Sequence, residues 1–189
     1  MENAPQEASC FQDGFPCITW QEHCFMMDGG PEDFRKEKPV DDAVFEVYKA
    51  RFDYDPAELK AKVETPDASA NDWIVERVTF DAAYDQERVM ADIYLPRNGR
   101  KPFQSVIFFP AADAVGGWLP AATRGYFGLG LDCFVKSGRA FVFPVYHGTY
   151  ERTGDMTVLK RWPTEEYRHA YTDHLARWVK DFRRCIDYL

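Results

Sequence analysis

VIFFP (residues 106–110) and RAFVFPVY (residues 139–146) are the two stretches that decide how this chain is read. Each is short and almost continuously apolar. That is the pattern of a parallel strand buried on both faces, not of a strand with one wet side. Between them lie a loop, AADAVGG (111–117), and a helix-like segment, FGLGLDCFVKSG (127–138). Together they give the length that a parallel crossover needs. A second loop, HGTYERTG (147–154), then leads into a long helical pattern that runs to Leu189.

The strands upstream read differently. WIVERVTFDA (73–82) alternates through Ile74, Glu76, Val78 and Phe80, and ERVMADIYLP (87–96) places Val89, Ala91, Ile93 and Leu95 on one face. AYDQ (83–86) is a turn between them, so the pair predicts an antiparallel hairpin. Earlier still, DDAVFEVYKARF (41–52) sets Val44, Val47, Tyr48 and Arg51 at helical spacing behind the capping carboxylates Asp41 and Asp42. DPAELKAKVE (55–64) predicts a short helix with Asp55 as N-cap and Pro56 in its first turn. The expected architecture is α/β: a mixed sheet with an N-terminal antiparallel hairpin, then parallel strands, and helices on both faces.

The last helix is the clearest element. After Pro163 and Thr164, apolar residues fall at Tyr167, Tyr171, Leu175, Trp178, Phe182, Ile186 and Leu189, in steps of three and four. Glu165, Arg168, Asp173, Arg177, Lys180 and Arg184 take the opposite face. The pattern reaches Leu189 on an apolar position without a glycine cap, which leads us to expect a truncated chain.

Composition narrows the function classes. With 189 residues and 46% hydrophobic content, one domain with a real core is expected. A formal net charge of −8 disfavours nucleic acid and anionic membranes as partners. No apolar run approaches the roughly 20 residues of a membrane span. MENAPQEASCFQDGFP (1–16) lacks the basic and apolar regions of a signal peptide, so a cytoplasmic location is expected. Five cysteines without a C-x-x-C pair fit reduced thiols, and the seven-residue spacing of Cys10, Cys17 and Cys24 is not that of a zinc site. Neither a metal nor a cofactor is called for. Residues 1–36 read as an irregular leader, with a strand-like FPCITW (15–20), and residues 37–189 as the folded domain.

Several blocks carry a resemblance to a known family. VTFDAAYDQERVMADIYLPRN (78–98), FQSVIFFPAADAV (103–115), FVKSGRAFVFPVYHGTYERT (134–153) and YTDHLARWVKDFRRCIDYL (171–189) resemble the N-terminal half of an α/β-hydrolase module. The module is of the dienelactone-hydrolase or acetyl-xylan-esterase type found at the C-terminus of some bacterial Ser/Thr-kinase-containing proteins. EKPVDDAVFEVYKARFDYDPAELKAKVE (37–64) is similar to its helical lead-in, and DGFPCITW (13–20) to the closing strand of a sulfatase-modifying-factor-like domain.

The resemblance implies carboxylic-ester hydrolysis by a nucleophilic serine on a Gly-x-Ser-x-Gly turn. That turn is missing. Ser9, Ser69, Ser105 and Ser137 all lie outside such a motif, and Ser137, in KSGR, sits where helix-end capping is ordinary. Cys133 and Cys185 fall on apolar helical positions, as buried inert thiols do. By the resemblance, the loop after the third strand supplies one backbone N–H of the oxyanion hole. Here that loop reads Pro110-Ala111-Ala112, so Ala112, with Ala111 beside it, is the candidate donor. An alanine in the usual glycine place resists a positive φ.

Among the histidines, His169 and His174 are about 140° apart round one helix and do not form a ligand pair. His147 follows the strand 139–146 at its C-terminal end, where open α/β sheets bind ligands. With Tyr146 it is a candidate for lining a substrate pocket, although a loop histidine without chemistry accounts for the position too. Glu151 and Arg152 in the same loop are expected to pair with each other. The glycine-rich GYFGLG (125–130) lacks the Lys-Ser/Thr of a phosphate loop.

Two functions follow as expectations. One is the N-terminal portion of an esterase-like serine hydrolase, inactive alone and completed by a missing C-terminal half. The other is a non-catalytic interaction or dimerisation module, using the sheet edge left open beside VIFFP and AFVFPVY.

Overall fold

The computed structural model describes residues 36–109, 114, 132–154, 156 and 164–189. Residues 42–189 form the compact unit that holds the sheet. The leader, the FPCITW strand, the GYFGLG segment and both oxyanion candidates, Ala111 and Ala112, lie outside the described residues.

In chain order the elements are α1 (Asp42–Ala50), β1 (Lys62–Val63), β2 (Trp73–Asp81), β3 (Arg88–Pro96), β4 (Ser105–Ile107), α2 (Asp132–Lys136), β5 (Ala140–Val145), a 3-10 turn (Tyr150–Arg152) and α3 (Glu165–Tyr188). The sheet order is β1-β2-β3-β5-β4. β1, β2 and β3 run antiparallel, β3 meets β5 antiparallel, and β4 pairs with β5 in parallel through Val106–Phe141 and Ile107–Val142. The predicted hairpin and the predicted parallel pair are both present. The hairpin turns through Asp85 and Gln86, at φ 49° and 55°, closed by Glu87 N–H donating to the Tyr84 carbonyl at 3.1 Å. Two consecutive left-handed residues match the twist of the flanking strands.

The sheet has two packed faces. On one, Val78, Phe80, Val89, Ala91, Ile93 and Val142 meet Cys185 of α3, with Tyr188 stacked on Phe80. On the other, Tyr94, Phe141, Phe143 and Val145 pack with Val135 of α2 and Tyr150. Helices therefore cover both faces, as the alternation of β2 and β3 and the continuous apolar run of β5 require. Arg77 and Asp92, cross-strand partners on β2 and β3, form a two-pronged pair at 2.7 and 3.0 Å, with Asp92 buried.

Three expectations are corrected. The helix predicted over residues 55–64 is absent. Asp81 N–H donates to the Leu59 carbonyl and Glu64 N–H to the Arg77 carbonyl, so the sheet captures this segment as β1 and its approach. Lys60 at φ 44° also interrupts any helical run. Secondly, β5 is an interior strand, hydrogen-bonded on both sides, so among the described residues the open edge beside the parallel pair belongs to β4 and not to AFVFPVY.

The third correction concerns α3. Its N-cap is Thr164, whose hydroxyl accepts from Tyr167 N–H. The buried face is another matter: it comprises His174, Ala176, Trp178, Asp181, Arg184 and Cys185. Tyr171, Ile186 and Leu189 of the predicted stripe are exposed. His174, Asp181 and Cys185 each stand one residue before the predicted Leu175, Phe182 and Ile186, about 100° round the axis.

Candidate functional site

β5 ends at Val145, and the chain turns sharply through Gly148 at φ 77° before the 3-10 turn. Thr149, fully buried, closes this turn by donating its hydroxyl and its N–H to the Tyr146 carbonyl at 2.9 and 3.1 Å. The loop thereby projects backbone and side chains toward α3 and the β2–β3 turn. This is the end of the sheet at which α/β proteins collect their ligands.

A polar network lies beneath the loop. Arg152 donates to Asp181 at 2.6 Å, to Glu87 at 2.9 Å, to the Tyr84 hydroxyl at 3.0 Å and to the Val145 carbonyl at 2.9 Å. Asp181, with no exposed surface, also accepts from the Tyr84 hydroxyl at 2.8 Å and from His147 N–H at 2.9 Å. Burial raises the Asp181 carboxyl, and these three donors oppose it. Burial by itself would lower Arg152, but Asp181 and Tyr84 outweigh it and hold the guanidinium charged. Burial pushes the Tyr84 phenol up, with Asp181 adding to the effect, so Tyr84 stays protonated and serves as a donor.

His147 sits in the same network. Its Nε2 lies 2.9 Å from Arg177 and its Nδ1 lies 3.1 Å from Glu87. A guanidinium has no acceptor, so Nε2 carries the lone pair and Nδ1 carries the proton it donates to Glu87. The His147 carbonyl accepts from the Trp178 indole N–H at 2.7 Å, and Arg177 continues to Asp85 at 2.6 Å. Both ring nitrogens are thus committed to protein groups, leaving the ring no free lone pair for a substrate. Tyr146 is fully buried, donates its hydroxyl to the Phe108 carbonyl at 2.9 Å, and packs between Phe109 and Trp178.

The remaining sequence candidates are placed as follows. Arg152 does pair, but with Asp181 and Glu87. Glu151 instead faces Arg77 at 3.6 Å, because neighbours on a 3-10 turn point in different directions. Ser137 caps the end of α2 by donating to the Phe134 carbonyl at 2.8 Å. Cys185 is buried, and burial raises its thiol well above its ordinary value; Cys133 is exposed, contrary to the expectation of a buried thiol. Sequence reasoning missed Glu87, Tyr84 and Asp181. The available signal was a carboxylate at 181 breaking the apolar periodicity of a long helix, which calls for a buried partner. On the hairpin side, an open cleft of about 620 Å³ is lined by Asp55, Glu58, Lys60, Asp81, Tyr84 and Arg184, among others.

No family model matches this chain, and no curated protein does so either. Solved structures do match in fold. One is a Bacteroides fragilis protein assigned as an acetyl xylan esterase: TM-score 0.54 and 12% identity, over 77% of this chain and 41% of that one. The fold is α/β-hydrolase-like. A glucuronoyl esterase from Solibacter usitatus is also similar, with TM-score 0.47 and 17% identity, over 80% of this chain and 50% of that one. The chain therefore spans half or less of the length of both. Among the described residues the hydrolase-like sheet has β4 at its edge, and the Arg152–Asp181 network braces the C-terminal end of β5 against α3.

Proposed function

We propose that this chain is the N-terminal scaffold of an esterase-like carboxylic-ester hydrolase, and that it does not turn over esters alone. The observation that carries this reading is the strand order β2-β3-β5-β4 with a parallel β4–β5 pair in an α/β-hydrolase-like sheet, in a sequence with no Gly-x-Ser-x-Gly turn. Such a sheet places its nucleophile on a strand-to-helix turn, and none of Ser9, Ser69, Ser105 and Ser137 has that setting. The backbone N–H of Ala112, with Ala111 beside it, is the oxyanion contribution we assign to this portion. The same reading makes the parent a kinase-containing bacterial protein, located in the cytoplasm.

The test is direct. Purified chain, shown folded by circular dichroism, is incubated with p-nitrophenyl acetate and separately with a fluorophosphonate probe. We expect neither turnover nor labelling; saturable turnover by the chain alone overturns the reading. A second reading, an interaction module pairing through a sheet edge, draws on β4, which carries one strand partner among the described residues. Light scattering separates the two, since edge pairing between copies gives a dimer and a scaffold awaiting its other half stays monomeric.

A further inference from the structure

His174 lies outside the network just described, yet touches it. It is 5% exposed, and its Nε2 is a buried polar atom without a hydrogen-bond partner among the described residues. Its ring stacks obliquely on Trp178 at 5.0 Å and on His147 at 5.8 Å. The seat is made by Gly148: a Cβ there would come within 3.0 Å of the His174 ring and 2.5 Å of Met156. Because Gly148 has no side chain, the loop after β5 closes directly on the ring.

The groups around this ring are arranged against a positive charge. Arg177 on its own helix and His147 on the loop are its charged or chargeable neighbours. Asp85 and Glu87 of the β2–β3 turn, Asp181 of α3 and Arg152 of the 3-10 turn are already engaged with those two or with one another. Among the described residues, a proton on His174 would therefore find no carboxylate that is not already engaged elsewhere.

We propose that His174, seated on Gly148 beside His147 and Arg177, is an acid-released latch. Protonation expels the ring and frees the 147–152 loop from the first half of α3. The loop and the helix are the two walls of the strand ends described above, so acidification loosens that end of the sheet while leaving the β2–β3 hairpin intact.

In support, burial first, then His147 and Arg177, hold the folded imidazole down to about 4 from the ordinary 6.5. The unfolded or opened form then binds a proton that the closed form does not, throughout the interval between those values. Opening thus becomes more favourable as pH falls, roughly twentyfold between pH 7 and pH 5.

The test is amide hydrogen exchange of the whole chain by mass spectrometry at pH 7, 6 and 5, normalised to unstructured-peptide rates. We expect protection in residues 147–152 and 165–178 to fall about twentyfold while β2 and β3 are unchanged, and His174→Phe to abolish the effect. Loosening that persists in His174→Phe, that is uniform over the sheet, or that is absent from the wild-type chain overturns the proposal. Should the variant fail to fold, ring-proton NMR of the wild-type chain decides: a His174 resonance titrating near 6.5 overturns it, and one still neutral at pH 5 upholds it.

Discussion

Arg152 and Asp181 meet at 2.6 Å, 29 residues apart in sequence, with the carboxylate fully enclosed and the guanidinium nearly so. This contact ties the loop after β5 to α3. It is reinforced on both sides, by Glu87 and Tyr84 from the hairpin and by the His147 N–H from the loop itself. Two chain segments, the hairpin and the loop, thereby converge on one carboxylate of α3.

Removing one partner alone strands the other. Asp181→Ala is expected to destabilise the chain by about 3–5 kcal/mol, because Arg152 is left buried and uncompensated. The double variant Arg152→Met, Asp181→Leu should recover most of that loss, since an apolar pair of similar volume carries no desolvation cost. Urea unfolding of the two variants beside wild type measures both numbers. A double variant no better than Asp181→Ala would show that the packing, not the charge, holds the loop.

The turn at Gly148 requires glycine twice over. Its φ of 77° is a conformation side chains avoid, and a Cβ would press on Met156 and His174. Gly148→Ala should cost about 2–4 kcal/mol, summing the left-handed penalty and the overpacking. Thermal unfolding checks this. Gly138→Ala serves as the control: it shares the positive φ, but a Cβ there would sit 3.7 Å from Gly99 Cα, an ordinary contact, so its cost should be the smaller.

Glu87 gives the network an acid-side signature. Burial would raise its carboxyl, but His147 and Arg152 together hold it below its ordinary 4.5. A depressed carboxylate stabilises the fold fully above the unfolded value and stops doing so as pH falls through the folded one. Stability should therefore drop on acidification below about 4.5, and Glu87→Gln should flatten that part of the curve. This window lies at and below the lower end of the one governed by His174, so Glu87→Gln and His174→Phe act on separable parts of one pH profile.

The two described cysteines should behave differently. Cys133 is exposed on α2, while Cys185 is buried against the sheet with its thiol raised by burial and by Asp181. Iodoacetamide at pH 8 should label Cys133 in the folded chain and reach Cys185 only after unfolding. Peptide mass spectrometry reads both sites, and native labelling of Cys185 would mean that α3 lifts from the sheet.

The hairpin and the parallel pair were legible because their signals are local. Val89, Ala91 and Ile93 alternate, AYDQ turns, and VIFFP and AFVFPV are apolar throughout, so period and run length specify strand type. The segment at 55–64 was misread because its helical propensity is real but weak, and an available strand edge on β2 outcompeted it. Of the candidate site, the place was legible and the wiring was not. His147 and Tyr146 do fall at the C-terminal end of β5, but the pairing of Arg152 with Asp181, and not with its neighbour Glu151, depends on a turn geometry and a partner helix that no short window contains.

α3 marks the boundary between the two kinds of information. Its existence and its length follow from the 3.6-residue period, which the sequence alone determines. Which side faces inward does not. The tertiary structure turned the helix part-way round from its most apolar stripe, keeping Trp178 inward, because Tyr84, Arg152 and the His147 N–H lie on the sheet side to satisfy Asp181. A buried carboxylate is tolerated only where donors converge on it, and such convergence is a property of the folded chain.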